Sequence, residues 1–141
     1  MERKGALLAT CFTAGLLGGL AYSLALWASG HWGLTAAAGV QLAPAFTLPW
    51  LYPNLIWGGL WGLLYFFPVA SYRHRQHWIR KGLWISLAPA LYQLFFLYPH
   101  VYHQGLMGLE LGNFTPLFVL LFHFVWGATT GVFTRLLWGK R

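Results

Sequence analysis

From Gly5 to Tyr72 the chain carries no Asp, Glu, Lys or Arg, and from Gly82 to Thr134 it carries only Glu110. A water-soluble fold of 141 residues has no interior large enough for so much apolar chain, because small domains keep a large surface for their volume. Lipid removes the conflict. Charged residues make up 8% of the chain, against about 25% in soluble domains. Hydrophobic residues reach 58% and aromatic residues 19%. The pattern implies an integral membrane protein, and the length suits a single domain spanning residues 1–141.

Four runs approach the roughly 20 apolar residues that a hydrocarbon core demands. Helix one covers about Gly5 to Ala28 and helix two about Leu48 to Ala70. Helix three covers about Gly82 to Tyr98 and helix four about Leu111 to Thr134. Helices are expected, since backbone in lipid must satisfy its own hydrogen bonds and no barrel alternation is visible. The expected fold is therefore all-α, with four transmembrane helices. The first run follows Arg3 and Lys4, as a secretion signal would, but it is longer than a typical signal core. Leu8-Ala9-Thr10-Cys11 has the composition of a lipoprotein cleavage box, yet no apolar region precedes it.

The nine Lys and Arg residues set the orientation. Arg3 and Lys4 precede helix one. Arg73, Arg75, Arg80 and Lys81 separate helices two and three. Arg135, Lys140 and Arg141 follow helix four. Four crossings put all three clusters on one face, which the rule makes cytoplasmic. A bacterial-type inner membrane with both termini inside is the expected location. The opposite loops, about 29–47 and 99–110, hold no Lys or Arg. The first of these is itself apolar, and Pro44 within it and Pro49 and Pro53 just beyond it interrupt the chain. A short re-entrant or interfacial helix is expected there. The net charge of +7 is explained by topology, so nucleic acid is not an expected partner.

The two halves resemble each other. Phe46-Thr47-Leu48-Pro49 enters helix two and Phe114-Thr115-Pro116 enters helix four. Further on, Asn54-Leu-Ile-Trp57-Gly58-Gly-Leu-Trp-Gly62 parallels His123-Phe-Val-Trp126-Gly127-Ala-Thr-Thr-Gly131, with a one-residue gap between the two matches. Both copies run outside to inside. This predicts tandem helical hairpins, about 5–72 and 82–135, joined by a cytoplasmic loop at 73–81. Their pseudo-twofold axis would lie along the membrane normal.

Small residues recur every four positions, which keeps them on one helix face. Cys11, Gly15, Gly19 and Ser23 form such a ridge, as do Gly58 and Gly62, then Gly82, Ser86 and Ala90, then Gly127 and Gly131. Such ridges let backbones approach closely in lipid. Packing within the bundle is the plain reading. Assembly with other transmembrane helices is the alternative.

His123 is the most suggestive polar residue, because polar groups at depth are expensive and often functional. Asn54 holds the matching place in helix two, so the two predict an intramembrane polar pair. A structural hydrogen bond competes with a haem- or metal-ligating role for His123. His100 and His103 lie three apart near the outer end of helix three. With His31 and Glu110 they are weak candidates for a metal. Interfacial placement is the simpler reading. Arg73, Arg75, Arg80 and Lys81 suit contact with anionic lipid headgroups. Asn113-Phe114-Thr115 is a glycosylation sequon of chance origin. The single cysteine, Cys11, excludes an intramolecular disulfide. The chain holds no aspartate, no paired carboxylates and no Gly-rich phosphate loop, so no enzyme activity is expected.

Three functions remain. The first is a non-catalytic accessory subunit packed against a larger membrane complex. The second is an oligomeric small-solute transporter or channel protomer. The third is a haem- or metal-binding membrane protein using His123.

Overall fold

The structure, a computed structural model, describes residues 4–41, 44–69 and 78–138. Arg73 and Arg75, with Arg3, Lys140 and Arg141, lie outside those residues. Every element among the described residues is helical. α1 runs Lys4–His31 and α2 is the single turn Leu34–Ala37. α3 runs Leu48–Gly62 and passes without a break through a 3-10 turn, Leu63–Tyr65, into α4, Phe66–Val69. α5 runs Trp78–Tyr92 and continues as a π-helix, Gln93–Val101. A 3-10 turn at Leu106–Gly108 precedes α6, Thr115–Trp138. Two helices, α1 and α6, are long and apolar enough to cross a membrane.

Local chemistry sets the boundaries. Thr47 caps α3, its Oγ1 accepting from the Trp50 N–H at 3.3 Å, which satisfies one of the donors a helix start leaves open. The helix expected from Leu111 begins instead at Thr115. Gly108 and Gly112 hold φ of 68° and 157°, a backbone closed to most other residues, so the chain is still turning there. Pro116 then falls in the first helical turn, where its missing N–H costs nothing. Between α1 and α3 the described residues hold one helical turn, α2, entered through Gly33 at φ 78°.

The helices meet where the small ridges meet. α1 packs against α3, α5 against α6, and α1 against α6. A Cβ added at Gly58 would lie 2.7 Å from Gly15 O and 2.9 Å from Gly19 Cα. One added at Gly62 would lie 2.6 Å from Cys11 O. The second pair repeats the device. A Cβ at Gly82 would strike Gly127 O, and one at Gly127 would lie 2.9 Å from Ser86 Cβ. Of the anticipated ridge residues, Cys11, Gly15 and Gly19 meet Gly58 and Gly62 backbone to backbone, Gly82 meets Gly127 in the same way, and Gly127 lies beside the Ser86 side chain. Gly131 is buried further along α6.

All these pairings are antiparallel. Leu7, Cys11 and Tyr65 gather at one end with Phe66, Ile85 and Trp138. Lys4, Arg80, Lys81 and Arg135 ring that same end. At the opposite end, Leu26, Val40, Phe118 and Phe122 form a second cluster. There the two connecting loops dock: the Gln41 N–H donates to Leu111 O at 2.9 Å. A Cβ on Gly112 would lie 2.9 Å from Val40 Cα.

Hydroxyls along the helices bond to their own backbone. Ser23 Oγ donates to Gly19 O at 2.7 Å, and Thr134 Oγ1 to Thr130 O at 2.7 Å.

The ridge contacts predict opposite fates for two glycines. Gly82→Ala should cost about 1–3 kcal/mol or more, the usual penalty of overpacking. Gly5→Ala, with nothing within 4 Å of the new atom, should be neutral or gain up to about 1 kcal/mol from helix propensity. Thermal unfolding of both variants in mild detergent checks the pair.

Candidate functional site

The backbones of α3 and α5 do not close on each other as the other pairs do. Among the described residues they approach chiefly at the 3-10 turn Leu63–Tyr65. The space left is a cavity of about 330 Å³, at the lower end of the ~300–1,000 Å³ typical of ligand sites. All four long helical runs line it: Gly19 and Tyr22 from α1, Asn54, Trp57 and Trp61 from α3, Gln93 from the π-helix, His123 and Trp126 from α6. The cavity extends from the middle of the helices toward the end where the loops dock. Trp57 and Tyr92 are exposed at the seam between α3 and α5, and Val101 and Tyr102 are exposed toward the loop end, so the cavity opens along that seam and toward that end. Trp61 and Tyr92 meet across that seam, with ring centroids 5.6 Å apart.

Sequence reasoning paired Asn54 with His123, and the structure brings both to this one cavity. It also brings Trp57 and Trp126, the next matched pair. His123 is buried, and its Nδ1 lies 2.8 Å from Val119 O. A carbonyl oxygen only accepts, so Nδ1 carries the proton. In the neutral ring Nε2 then keeps a lone pair, the form that accepts a hydrogen bond or ligates a metal. Tyr22 packs on the imidazole at 5.0 Å.

A polar chain begins on the cavity wall, at Tyr22 and Gln93. The Tyr22 hydroxyl donates to Gln93 Oε1 at 3.4 Å, and Gln93 Nε2 donates to the Tyr98 hydroxyl at 3.1 Å. Gln93 opens the π-helical stretch, a backbone form that often marks functional positions. Pro89, one turn earlier, supplies no N–H to the ladder and also lines the cavity. Sequence reasoning passed over Gln93. Its signal was the one that singled out His123, a polar side chain within an apolar helical run.

Two donors on the lining have no partner among the described residues. They are the Asn54 side-chain amide, Nδ2, and the Trp126 indole N–H, Nε1. Trp126 is 3% exposed. Leaving a buried donor unmade costs about 1–3 kcal/mol, and most buried polar groups in folded proteins escape that cost. The lining contains no Asp, Glu, Lys or Arg. What the arrangement can do is hold an uncharged molecule between aromatic walls.

The other anticipated residues lie elsewhere. His100 is exposed, its ring 5.7 Å from Phe96. His103 is exposed with φ 54°. His31 stacks on Trp27 at 5.0 Å. Among the described residues no three His, Cys, Asp or Glu side chains gather as a metal would require. Arg80 is exposed and Lys81 half-buried at the basic end. No protein-family model, curated protein or solved structure matches the chain.

Two substitutions separate the satisfied polar chain from the unsatisfied donor. Gln93→Leu strands the Tyr22 and Tyr98 hydroxyls and should lower stability by about 1–3 kcal/mol. Asn54→Leu removes a donor that had no partner, so the ligand-free protein should be unchanged or more stable. Melting temperatures of the two variants, measured side by side, check this.

Proposed function

We propose that the chain is a four-span inner-membrane protein, with both termini cytoplasmic, that serves as a non-catalytic accessory protein holding a small membrane-soluble molecule. Several observations support the topology. Besides α1 and α6, helical backbone runs unbroken over 48–69 and 78–101, roughly 33 and 36 Å at about 1.5 Å per residue. A hydrocarbon core is about 30 Å thick. The described basic residues share one end of the bundle, as charge-directed insertion requires. The repeat gains support from packing. Gly58 meets Gly15 and Gly19 as Gly127 meets Gly82 and Ser86, so each hairpin is closed by the same device. The pseudo-twofold arrangement fails at one place: α1 packs against α6, while α3 and α5 part. The cavity occupies that gap.

The observation that carries the binding role is an uncharged cavity of about 330 Å³ walled by Trp57, Trp61 and Tyr92, with His123 on its lining. In the bilayer the cavity mouth would face lipid, so its occupant would arrive through the membrane. A transporter protomer draws on the same Asn54 and His123.

Topology is open to cysteine labelling. The native Cys11 is 0% exposed and should stay silent to a membrane-impermeant maleimide. Trp32→Cys should label in intact cells and Arg80→Cys only after permeabilisation. The reverse pattern, or recovery of the protein in the supernatant after a carbonate wash, overturns the topology.

The binding role predicts a small organic molecule in solvent extracts of the purified protein, detected by mass spectrometry. Leu97→Trp, which fills the cavity from its π-helical wall, should lose it while keeping the unfolding temperature. Identical extracts from both proteins count against the role.

A further inference from the structure

The second ring nitrogen of His123 narrows the occupant, taking as given the binding role proposed above. The residue is 7% exposed, and its one hydrogen bond among the described residues runs from Nδ1 to Val119 O. No carboxylate lines the cavity to pair with an imidazolium, and a buried charge without a partner is strongly disfavoured. The ring is therefore neutral and Nε2 is an acceptor. Nε2 is not among the sealed side-chain atoms that lack a partner. An atom that has no partner and is not sealed reaches the space beside it, and for His123 that space is the cavity. Asn54 Nδ2 and Trp126 Nε1 differ in this respect, being closed off within the wall. The hydroxyl beside the imidazole does not serve Nε2 either. Tyr22 packs on the ring at 5.0 Å but gives its hydrogen to Gln93 Oε1.

The occupant that completes this wall brings a hydrogen to donate. Its shape follows from the aromatic side. Trp57 and Trp61 stand four apart on α3 and share a face, and Trp61 meets Tyr92 across the seam at 5.6 Å. Aromatic rings favour offset or edge-on contact with another ring. We propose that the cavity binds an uncharged aromatic compound bearing a hydroxyl group, phenol-like in its chemistry. Its O–H donates to His123 Nε2, and its ring lies among Trp57, Trp61 and Tyr92. A volume of about 330 Å³ accommodates a small fused-ring compound. The bond from Nδ1 to Val119 O fixes the tautomer and aims the imidazole, so the acceptor is in place before the ligand arrives. Binding alone is proposed, and no covalent bond is made or broken.

The test uses the full-length protein in detergent and the change in unfolding temperature with added ligand, which rises with ligand concentration over Kd. The probe is 1-naphthol at neutral pH. The control is 1-methoxynaphthalene, which keeps the rings and the oxygen but has no hydrogen to donate. Wild type should be stabilised saturably by naphthol and about tenfold more weakly by the control, the factor that loss of one such hydrogen bond commonly costs. His123→Leu removes the acceptor and should bring naphthol down to the level of the control. Trp57→Leu keeps the acceptor, removes a wall at an exposed position, and should weaken both compounds alike. The unfolding transition itself reports whether each variant is folded. If His123→Leu does not fold, the ratio of the two compounds on wild type still decides. Equal stabilisation by both compounds, weakened by Trp57→Leu, leaves the cavity as a binding site and overturns the hydroxyl assignment. No stabilisation of wild type by either compound, or stabilisation that Trp57→Leu leaves untouched, overturns the assignment together with the binding role.

Discussion

Everything in this fold depends on helices that touch through their backbones. At Gly82 and Gly127, and again where Gly58 and Gly62 meet Cys11, Gly15 and Gly19, there is no room for a single added carbon. Contacts of this kind replace the hydrophobic drive that water would supply, which is weak wherever the surroundings are as apolar as the side chains. They also fix the register of each pair, because a glycine ridge fits its partner at one height only. The aromatic side chains that fill the rest of the bundle have their places decided by those heights.

Close approach in two hairpins creates the vacancy elsewhere. α1 lies against both α3 and α6, helped by Gly18, where an added Cβ would come within 2.9 Å of Trp126. Drawing α1 toward α6 leaves α3 and α5 apart at the far side. The polar groups of four helices face that gap, and only some of them satisfy one another. Tyr22, Gln93 and Tyr98 form a chain, and His123 turns to its own backbone. Asn54 and Trp126 are left over.

Much of this was written in residue type and spacing. The small ridges could be read because a period of four is a property of one helix, independent of its neighbours. Asn54 and His123 were singled out because the Trp-Gly-x-x-x-Gly match aligned them, and both line the cavity. The start of α6 was missed by four positions, since Leu111 to Phe114 is as apolar as a helix while Gly108 and Gly112 take backbone angles that composition does not announce. The π-helical stretch from Gln93 was equally silent, because its hydrogen-bond shift leaves no mark in hydropathy. Which faces of α3 and α5 would part was beyond any single-helix argument. That depends on how closely α1 and α6 approach, a property of the assembled bundle.

The glycine contacts have a mechanical corollary. α1 with α3, and α5 with α6, resemble two stiff covers of a book, each sealed by atoms already in contact. The line where α1 meets α6 is the spine, and the seam beside Trp57 and Tyr92 is the fore-edge. A small swing of one cover about that spine changes the width of the fore-edge while every glycine contact within each cover stays intact.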